Sequence, residues 1–175
     1  MTKQKPNPNQ ETLEQMLRVN HAGEYGANRI YEGQIAVLKN SKLKPELEHM
    51  LEQEQAHLAK FNELLPKHKV RPSALMPLWH IGGLALGAGS ALLGEKAAMA
   101  CTVAVEEAID EHYAEQEEVL PEGEIKETVK QFRAEELEHR DAGLEHGAED
   151  MKGYELFYNF VKAGCKASIF LAKRF

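Results

Sequence analysis

The sequence predicts an all-α protein, a four-helix bundle with a long apolar crossover segment and an additional C-terminal helix. Acidic residues total 28 in 175 and all but three are Glu, which favours helix where Asp favours caps and turns. Aromatic residues make up only 7%, and no stretch alternates apolar and polar residues as a half-buried strand does. Glu54-Gln-Ala-His57 and Glu136-Leu-Glu-His139 both read Glu-x-x-His. Three residues turn a helix by about 300°, so each pair projects from one helical face and can close on one ion.

Each pair follows a single glutamate by 30 residues, Glu24 in the first case and Glu106 in the second, so one pattern occurs twice with an offset of 82. Two such pairs and two lone glutamates, on four helices, form the ligand set of a dinuclear iron or manganese site inside a bundle. With 25 Glu and 8 His, about one Glu-x-x-His arises by chance, and there are three. The third, Glu46-Leu-Glu-His49, lies eight residues before Glu54 and His57, about 80° round the helix, and reads as a solvated decoy. The duplicated spacing sets the other two apart from chance.

Residues 11–175 suffice for a single domain with a sizeable core, preceded by a polar, loose tail over 1–10. A net charge of −7 argues against nucleic acid as a partner. Cys101 and Cys165 lack metal-binding spacing and read as reduced thiols on apolar stretches.

The first helix is expected from Glu11 to Lys39. Its small residues Ala22, Gly23, Gly26 and Ala27 either bring helices close or make room for a ligand beside Glu24. Ser41 to Pro45 opens the second helix as cap and first-turn proline, and Pro66 stops it. From Pro72 to Gly94 the chain carries no Asp, Glu, Lys or Arg, a length that could cross a bilayer. Pro72, Pro77 and the glycines from Gly82 to Gly94 argue instead for a crossover lying on a membrane face or lining an apolar pocket. Leu75, Leu78, Trp79 and Leu84, with Phe170 near the C-terminus, are its candidate membrane or substrate contacts.

The third bundle helix should run from Glu95 to Leu120, where Pro121 ends it, and the fourth from Glu122 to Gly147. Val103, Ala104, Val105, Ala108 and Ile109 surround Glu106, so this carboxylate is drawn inward and needs a cation or a proton. Glu135, Glu138 and His146 are weaker ligand candidates, and Asp141 a candidate hydrogen-bond partner for a ligand. From Tyr154 to Phe175, Lys162, Lys166, Lys173 and Arg174 accompany Phe157, Phe160 and Phe170, which suits either an anionic membrane surface or a helix capping the core.

Met16-Leu-Arg-Val-Asn-His-Ala-Gly-Glu-Tyr-Gly-Ala-Asn-Arg-Ile-Tyr31, Met99-Ala-Cys-Thr-Val-Ala-Val-Glu-Glu107 and Glu135-Glu-Leu-Glu-His139 resemble the signature stretches of the demethoxyubiquinone hydroxylase family. The resemblance runs from about residue 12 to the C-terminus. It implies a ferritin-like di-iron fold and an O2-dependent monooxygenase acting on a polyprenyl benzoquinol in ubiquinone biosynthesis. Metal ligands fall on Glu24, Glu54, His57, Glu106, Glu136 and His139, binding two iron ions per chain. Glu54 and Glu136 are the natural bridging residues by analogy, with Glu24 and Glu106 terminal, and Tyr25 and His112 are further candidates for hydrogen bonding to substrate.

The resemblance further implies peripheral attachment to the membrane that holds the quinone, NADH as ultimate electron donor, and a lipid-binding partner or other ubiquinone-biosynthesis proteins as associates. An oligomer is left open. The sequence has no Gly-x-Gly-x-x-Gly, so electrons arrive through the quinone ring itself or from a reductase partner. The connection from Leu120 to Ile125 is shorter than in some family members. No mitochondrial targeting extension is evident, which points to the cytoplasmic face of a bacterial inner membrane or to a mature form. The same ligands would serve a ferritin-like iron store or a peroxide-consuming di-manganese enzyme, and a bundle without metal would be a membrane-bound assembly module.

Overall fold

A computed structural model describes residues 8–175, with side chains from residue 13 onward. Six α-helices form: α1 (Pro8–Val37), α2 (Lys44–Lys67), α3 (Met76–Leu92), α4 (Glu95–Val119), α5 (Glu124–Glu145) and α6 (Tyr154–Ala172). A 3-10 turn at Ala148–Asp150 separates the last two, and no strand occurs among the described residues. Of the ten residues expected as a loose tail, Pro8 to Gln10 are helical, and residues 1–7 lie outside the described part. The bundle consists of α1, α2, α4 and α5, joined in two hairpins by short connections, with α3 laid on α1 and α6 on α4.

Two apolar clusters fill the bundle's ends. Leu17, Phe61, Leu64, Tyr113, Val129 and Phe132 pack together at one end, and Tyr31, Leu47, Met50, Met99 and Val103 at the other. On each ligand-bearing helix the predicted metal ligands lie between these clusters in sequence. The polar middle of the bundle is thereby closed off along its axis by hydrocarbon, which keeps the local dielectric low.

The uncharged stretch forms α3, and none of the described helices is long and apolar enough to cross a membrane. Its glycines have a packing role. A Cβ on Gly87 would lie 2.0 Å from the Ile30 carbonyl oxygen, and one on Gly33 would lie 2.5 Å from that of Leu84. A Cβ on Gly83 would meet the Gly26 carbonyl at 2.8 Å. From Tyr25 with His80, through Gly26 with Gly83, to Ile30 with Gly87, contacts advance together along both helices, so α1 and α3 run side by side in the same direction. The small residues therefore bring α3 close enough to form a wall beside Glu24.

Capping differs from expectation at α2. Leu43 holds the cap position, while Ser41 Oγ accepts from the Leu43 N–H at 2.9 Å and donates to Glu95 at 2.6 Å, tying this turn to α4. Pro45 stands in the first turn and Pro66 in the last, as the sequence suggests. At the other end of the chain, the Ala74 N–H donates to the carbonyl of Phe175 at 2.5 Å, which holds the tail of α6 against the start of α3. Lys162 and Lys166 turn toward Glu111 of α4, at 2.8 and 2.9 Å. Arg174 lies over the Phe170 ring at 3.5 Å. Three of the four basic residues expected to attract an anionic surface are thus engaged within the protein.

Candidate metal centre and the cavity beside it

Glu24 of α1, Glu54 and His57 of α2, Glu106 of α4, and Glu136 and His139 of α5 meet at the centre of the bundle, each at most 2% exposed. They form two overlapping groups, Glu24, Glu54, His57 and Glu136 in one and Glu54, Glu106, Glu136 and His139 in the other. Within each group one ligand atom from every residue lies within 4.8 Å of the others. Glu54 and Glu136 belong to both, the geometry that bridging carboxylates need. His57 Nδ1 is 3.2 Å from Glu136 and 3.4 Å from Glu24, while His139 Nδ1 is 3.3 Å from Glu54 and 3.4 Å from Glu136. Glu46 is half-buried and His49 exposed, as expected of the decoy pair.

Whether these residues fit a metal can be judged from their unsatisfied atoms. Among the described residues eleven buried side-chain nitrogen and oxygen atoms lack a hydrogen-bond partner, and eight of them belong to these six residues. Both Nδ1 atoms are in that set, together with both oxygens of Glu54 and of Glu136. Leaving buried polar atoms unpaired is costly, and two divalent ions would satisfy them at once. Carboxylate oxygen and imidazole nitrogen form a hard donor set suited to iron or manganese.

The charges of the cluster lean the same way. Burial and the charge of Glu136 push Glu106 up to about 8, and burial with Glu136 and Glu24 raises Glu54 well above the usual carboxylate range. Burial alone would lower His57, but the adjacent carboxylates of Glu136 and Glu24 outweigh it and push the imidazole up to about 12. His139 is raised for the same reason by Glu106, Glu136 and Glu54. Four carboxylates buried this close together call for positive charge, from protons or from cations.

Neighbouring side chains hold the six clustered residues in place. His57 Nε2–H donates to Glu135 at 2.6 Å and His139 Nε2–H to Gln53 at 3.0 Å, which directs both Nδ1 atoms inward. Phe132 stacks on the His57 ring with centroids 3.9 Å apart. The Tyr31 hydroxyl donates to Glu106 and the Tyr113 hydroxyl to Glu24. Burial, reinforced by these carboxylates, holds both phenols protonated, well above their ordinary range. The Asn28 amide donates to the backbone carbonyls of Glu24 and Glu54, at 2.8 and 2.9 Å, and so joins α1 to α2 at ligand level.

A cavity of about 570 Å³ lies between α1, α3, α4 and α6, and Glu24 forms part of its wall. Ala22, Gly23, Gly26 and Ala27 line it on the α1 side, and Cβ atoms built on Gly23 and Gly26 would meet nothing within 4 Å. Leu78, Trp79, Phe160 and Ile169 supply apolar wall from α3 and α6. Leu78 and Phe160 in its wall are exposed, and so are Ile81, Leu92 and Leu93 on and just beyond α3 and Leu156 and Phe170 on α6.

This chain matches the family model described as Ubiquinone biosynthesis protein COQ7 over residues 11–172. It belongs to that family. A relative from Rattus norvegicus named "NADPH-dependent 3-demethoxyubiquinone 3-hydroxylase, mitochondrial" is 53% identical over 175 residues, covering 97% of this chain and 81% of its own. One from Rhodospirillum rubrum, "3-demethoxyubiquinol 3-hydroxylase", is 51% identical over 165 residues, 93% of this chain and 78% of its own. The "5-demethoxyubiquinone hydroxylase, mitochondrial" of Saccharomyces cerevisiae is 41% identical over 181 residues, with 93% and 78% covered.

For this COQ7 family member the structure sorts the remaining candidates. His112 lines the cavity and its Nε2 accepts from Gln116 at 2.8 Å, while Tyr25 stands outside the cluster with its hydroxyl 2.8 Å from His80 Nδ1. Leu78 and Trp79 line the cavity, whereas Leu75, Leu84 and Phe170 do not. Asp141 is exposed and paired with Arg140 at 2.6 Å, so it supports no ligand, and Glu138 and His146 are exposed. Glu135 contacts His57 from outside the cluster. Tyr31, Tyr113, Gln53 and Asn28 escaped the sequence reading, although Tyr31 and Tyr113 each follow a lone glutamate by seven residues and repeat the offset of 82.

Proposed function

We propose that the protein hydroxylates the ring of a polyprenyl demethoxybenzoquinol of ubiquinone biosynthesis, with O2 as co-substrate, at a di-iron centre held by Glu24, Glu54, His57, Glu106, Glu136 and His139. One observation carries this reading: an apolar cavity flanked by exposed hydrophobic side chains of α3 and α6 reaches Glu24, a member of the buried carboxylate and histidine cluster. Hydroxylase names among 41–53% identical relatives support it. Held by these six residues, two ferrous ions would supply two electrons to O2, so that one oxygen atom enters the ring and the other leaves as water.

The protein's own groups have distinct tasks in this scheme. Space over Gly23 and Gly26 admits the ring beside Glu24, and the hydrocarbon walls take the isoprenoid tail and exclude water. Gln116 donates one amide hydrogen to Asn20 at 2.7 Å and the other to His112 Nε2, which leaves the His112 proton on Nδ1. Burial, with the nearby charge of Lys173, pushes this imidazole down to about 4, so it is neutral near pH 7 and offers a hydrogen bond rather than a charge to a quinol oxygen. Tyr31 and Tyr113 keep Glu106 and Glu24 oriented, each toward one of the two groups, and Glu54 and Glu136, common to both groups, would be shared between the ions.

Peripheral attachment through α3 and α6, at the cytoplasmic face of a bacterial inner membrane, gives the tail a route from bilayer to cavity. The rat relative's name specifies NADPH where the resemblance implied NADH, and a reduced nicotinamide is the electron source common to both. Because the sequence carries no dinucleotide-binding fingerprint, those electrons come by way of the quinone or a partner. The test is anaerobic loading with Fe(II), then O2 and a short-tailed demethoxybenzoquinol, with the product read by mass. A gain of one oxygen atom that disappears with Glu136→Ala is expected; bound iron with an unaltered quinol would overturn the assignment.

A further inference from the structure

The offset of 82 reaches beyond the six clustered residues. Glu24, Tyr31, Gln34, Glu54 and His57 recur as Glu106, Tyr113, Gln116, Glu136 and His139. The same offset pairs Gln53 with Glu135, and there the two halves differ. Each of these two stands immediately before the glutamate of its own Glu-x-x-His pair, yet accepts its hydrogen bond from the histidine of the other pair. The functional unit is therefore five residues long, its first member reaching across the bundle between α2 and α5.

The two acceptors are chemically unequal. His57 donates to a carboxylate at 2.6 Å and His139 to a neutral amide oxygen at 3.0 Å. A charge-assisted hydrogen bond is shorter and roughly twice as strong as a neutral one. It fixes the ring more firmly and leaves the opposite nitrogen a better donor to a metal, and such supporting partners typically change metal affinity by about 10- to 100-fold. His57 also belongs to the group that contains Glu24, the one member of the cluster that lines the cavity. The better-supported imidazole thus serves the side that substrate would reach.

Building on the di-metal reading, we propose that Glu135 is a positioning residue that makes the cavity-side metal position the tighter and more electron-rich of the two, while Gln53 holds the far position with a weaker acceptor. The near-symmetric bundle is by this means made unsymmetric at one pair of residues. Access and ligand strength then coincide, so the metal beside the ring is the one filled first.

The test is a titration of the metal-free, full-length protein with Co(II), followed by proton NMR. A histidine whose Nδ1 holds Co(II) shows its Nε2 proton as a paramagnetically shifted, solvent-exchangeable resonance, so the two positions report separately. At half an equivalent of Co(II), one resonance should dominate by about tenfold, and it should be the one that E135Q displaces. E135Q and Q53E should each bring the two intensities close to equal, and the double exchange should transfer the dominance to the other resonance. Q53E decides the matter even if E135Q fails to fold. A merely structural role would move the melting temperature and leave the intensity ratio unchanged. Equal intensities in the unaltered protein, or a ratio untouched by both single exchanges, would overturn the proposal. Failure to bind any Co(II) would remove the di-metal reading and this proposal with it.

Discussion

Replacing Gly23 with Leu should give a protein that is more stable yet inactive. A Cβ at this position meets nothing within 4 Å, and Gly23 lines the cavity next to Glu24 in the middle of α1. Leucine is nearly as good a helix former as alanine, so relief of the glycine penalty contributes just under about 1 kcal/mol. For a chain of 175 residues that corresponds to a rise in Tm of roughly 2–4 °C. The added side chain occupies space that the ring would need, and a displacement of about 1 Å from reactive geometry costs on the order of 100-fold in rate. Scanning fluorimetry, metal stoichiometry and product mass together check the three expectations: higher Tm, unchanged metal binding and lost hydroxylation. A higher Tm with full turnover would refute the assigned approach to Glu24, and a lower Tm would refute the open space itself.

Gly87→Ala should have the opposite effect, because its Cβ would sit 2.0 Å from the backbone oxygen of Ile30, where no side-chain rotation can relieve it. Overpacking of about 3 kcal/mol against a helix-propensity gain of about 1 leaves a net loss near 2 kcal/mol, roughly 4–8 °C in Tm; melting at or above the unaltered protein would contradict the close α1–α3 contact. Metal uptake should release protons at pH 7, since burial with the charge of Glu136 pushes Glu106 up to about 8 and the neighbouring carboxylates push His57 up to about 12. Metal and protons compete for the same atoms, so affinity should rise with pH between 6 and 8, about tenfold per unit for each proton displaced, and a weakly buffered titration without acidification would count against it. Leu78→Glu combined with Phe160→Glu removes two exposed apolar side chains, each worth about 1.5–3 kcal/mol when buried in lipid, so liposome flotation should fall at least about tenfold. Undiminished flotation would argue against docking through α3 and α6.

The six clustered residues were legible in the sequence because ligand spacing on a helix follows from the helix's own period. Glu54 and His57 must share a face whatever surrounds them, and so must Glu136 and His139. The breaks after Val37, near Pro66 and at Pro121 were legible for a similarly local reason, since proline and turn residues act on their own neighbours. His49 could be set aside by the same angular argument, and it is exposed.

Other features depend on which helix faces which, and no local rule supplies that. Tyr31 and Glu106 are 75 residues apart, and Tyr113 and Glu24 are 89 apart. Only the meeting of α1 with α4 turns two ordinary aromatic positions into donors at the clustered carboxylates. The glycines of α3 could be read from sequence as evidence against a membrane span, but their physical reason is backbone oxygens of α1 lying where a side chain would be. Lys162 and Lys166 look like lipid contacts until α6 packs on α4 and brings Glu111 to them. The sequence by itself determined the bundle and the residues that converge in it, because helical periodicity and the duplicated offset are properties of the chain. Tertiary structure alone decided the hydrogen bonds that aim those residues and the cavity that reaches Glu24, because both arise between helices far apart in sequence.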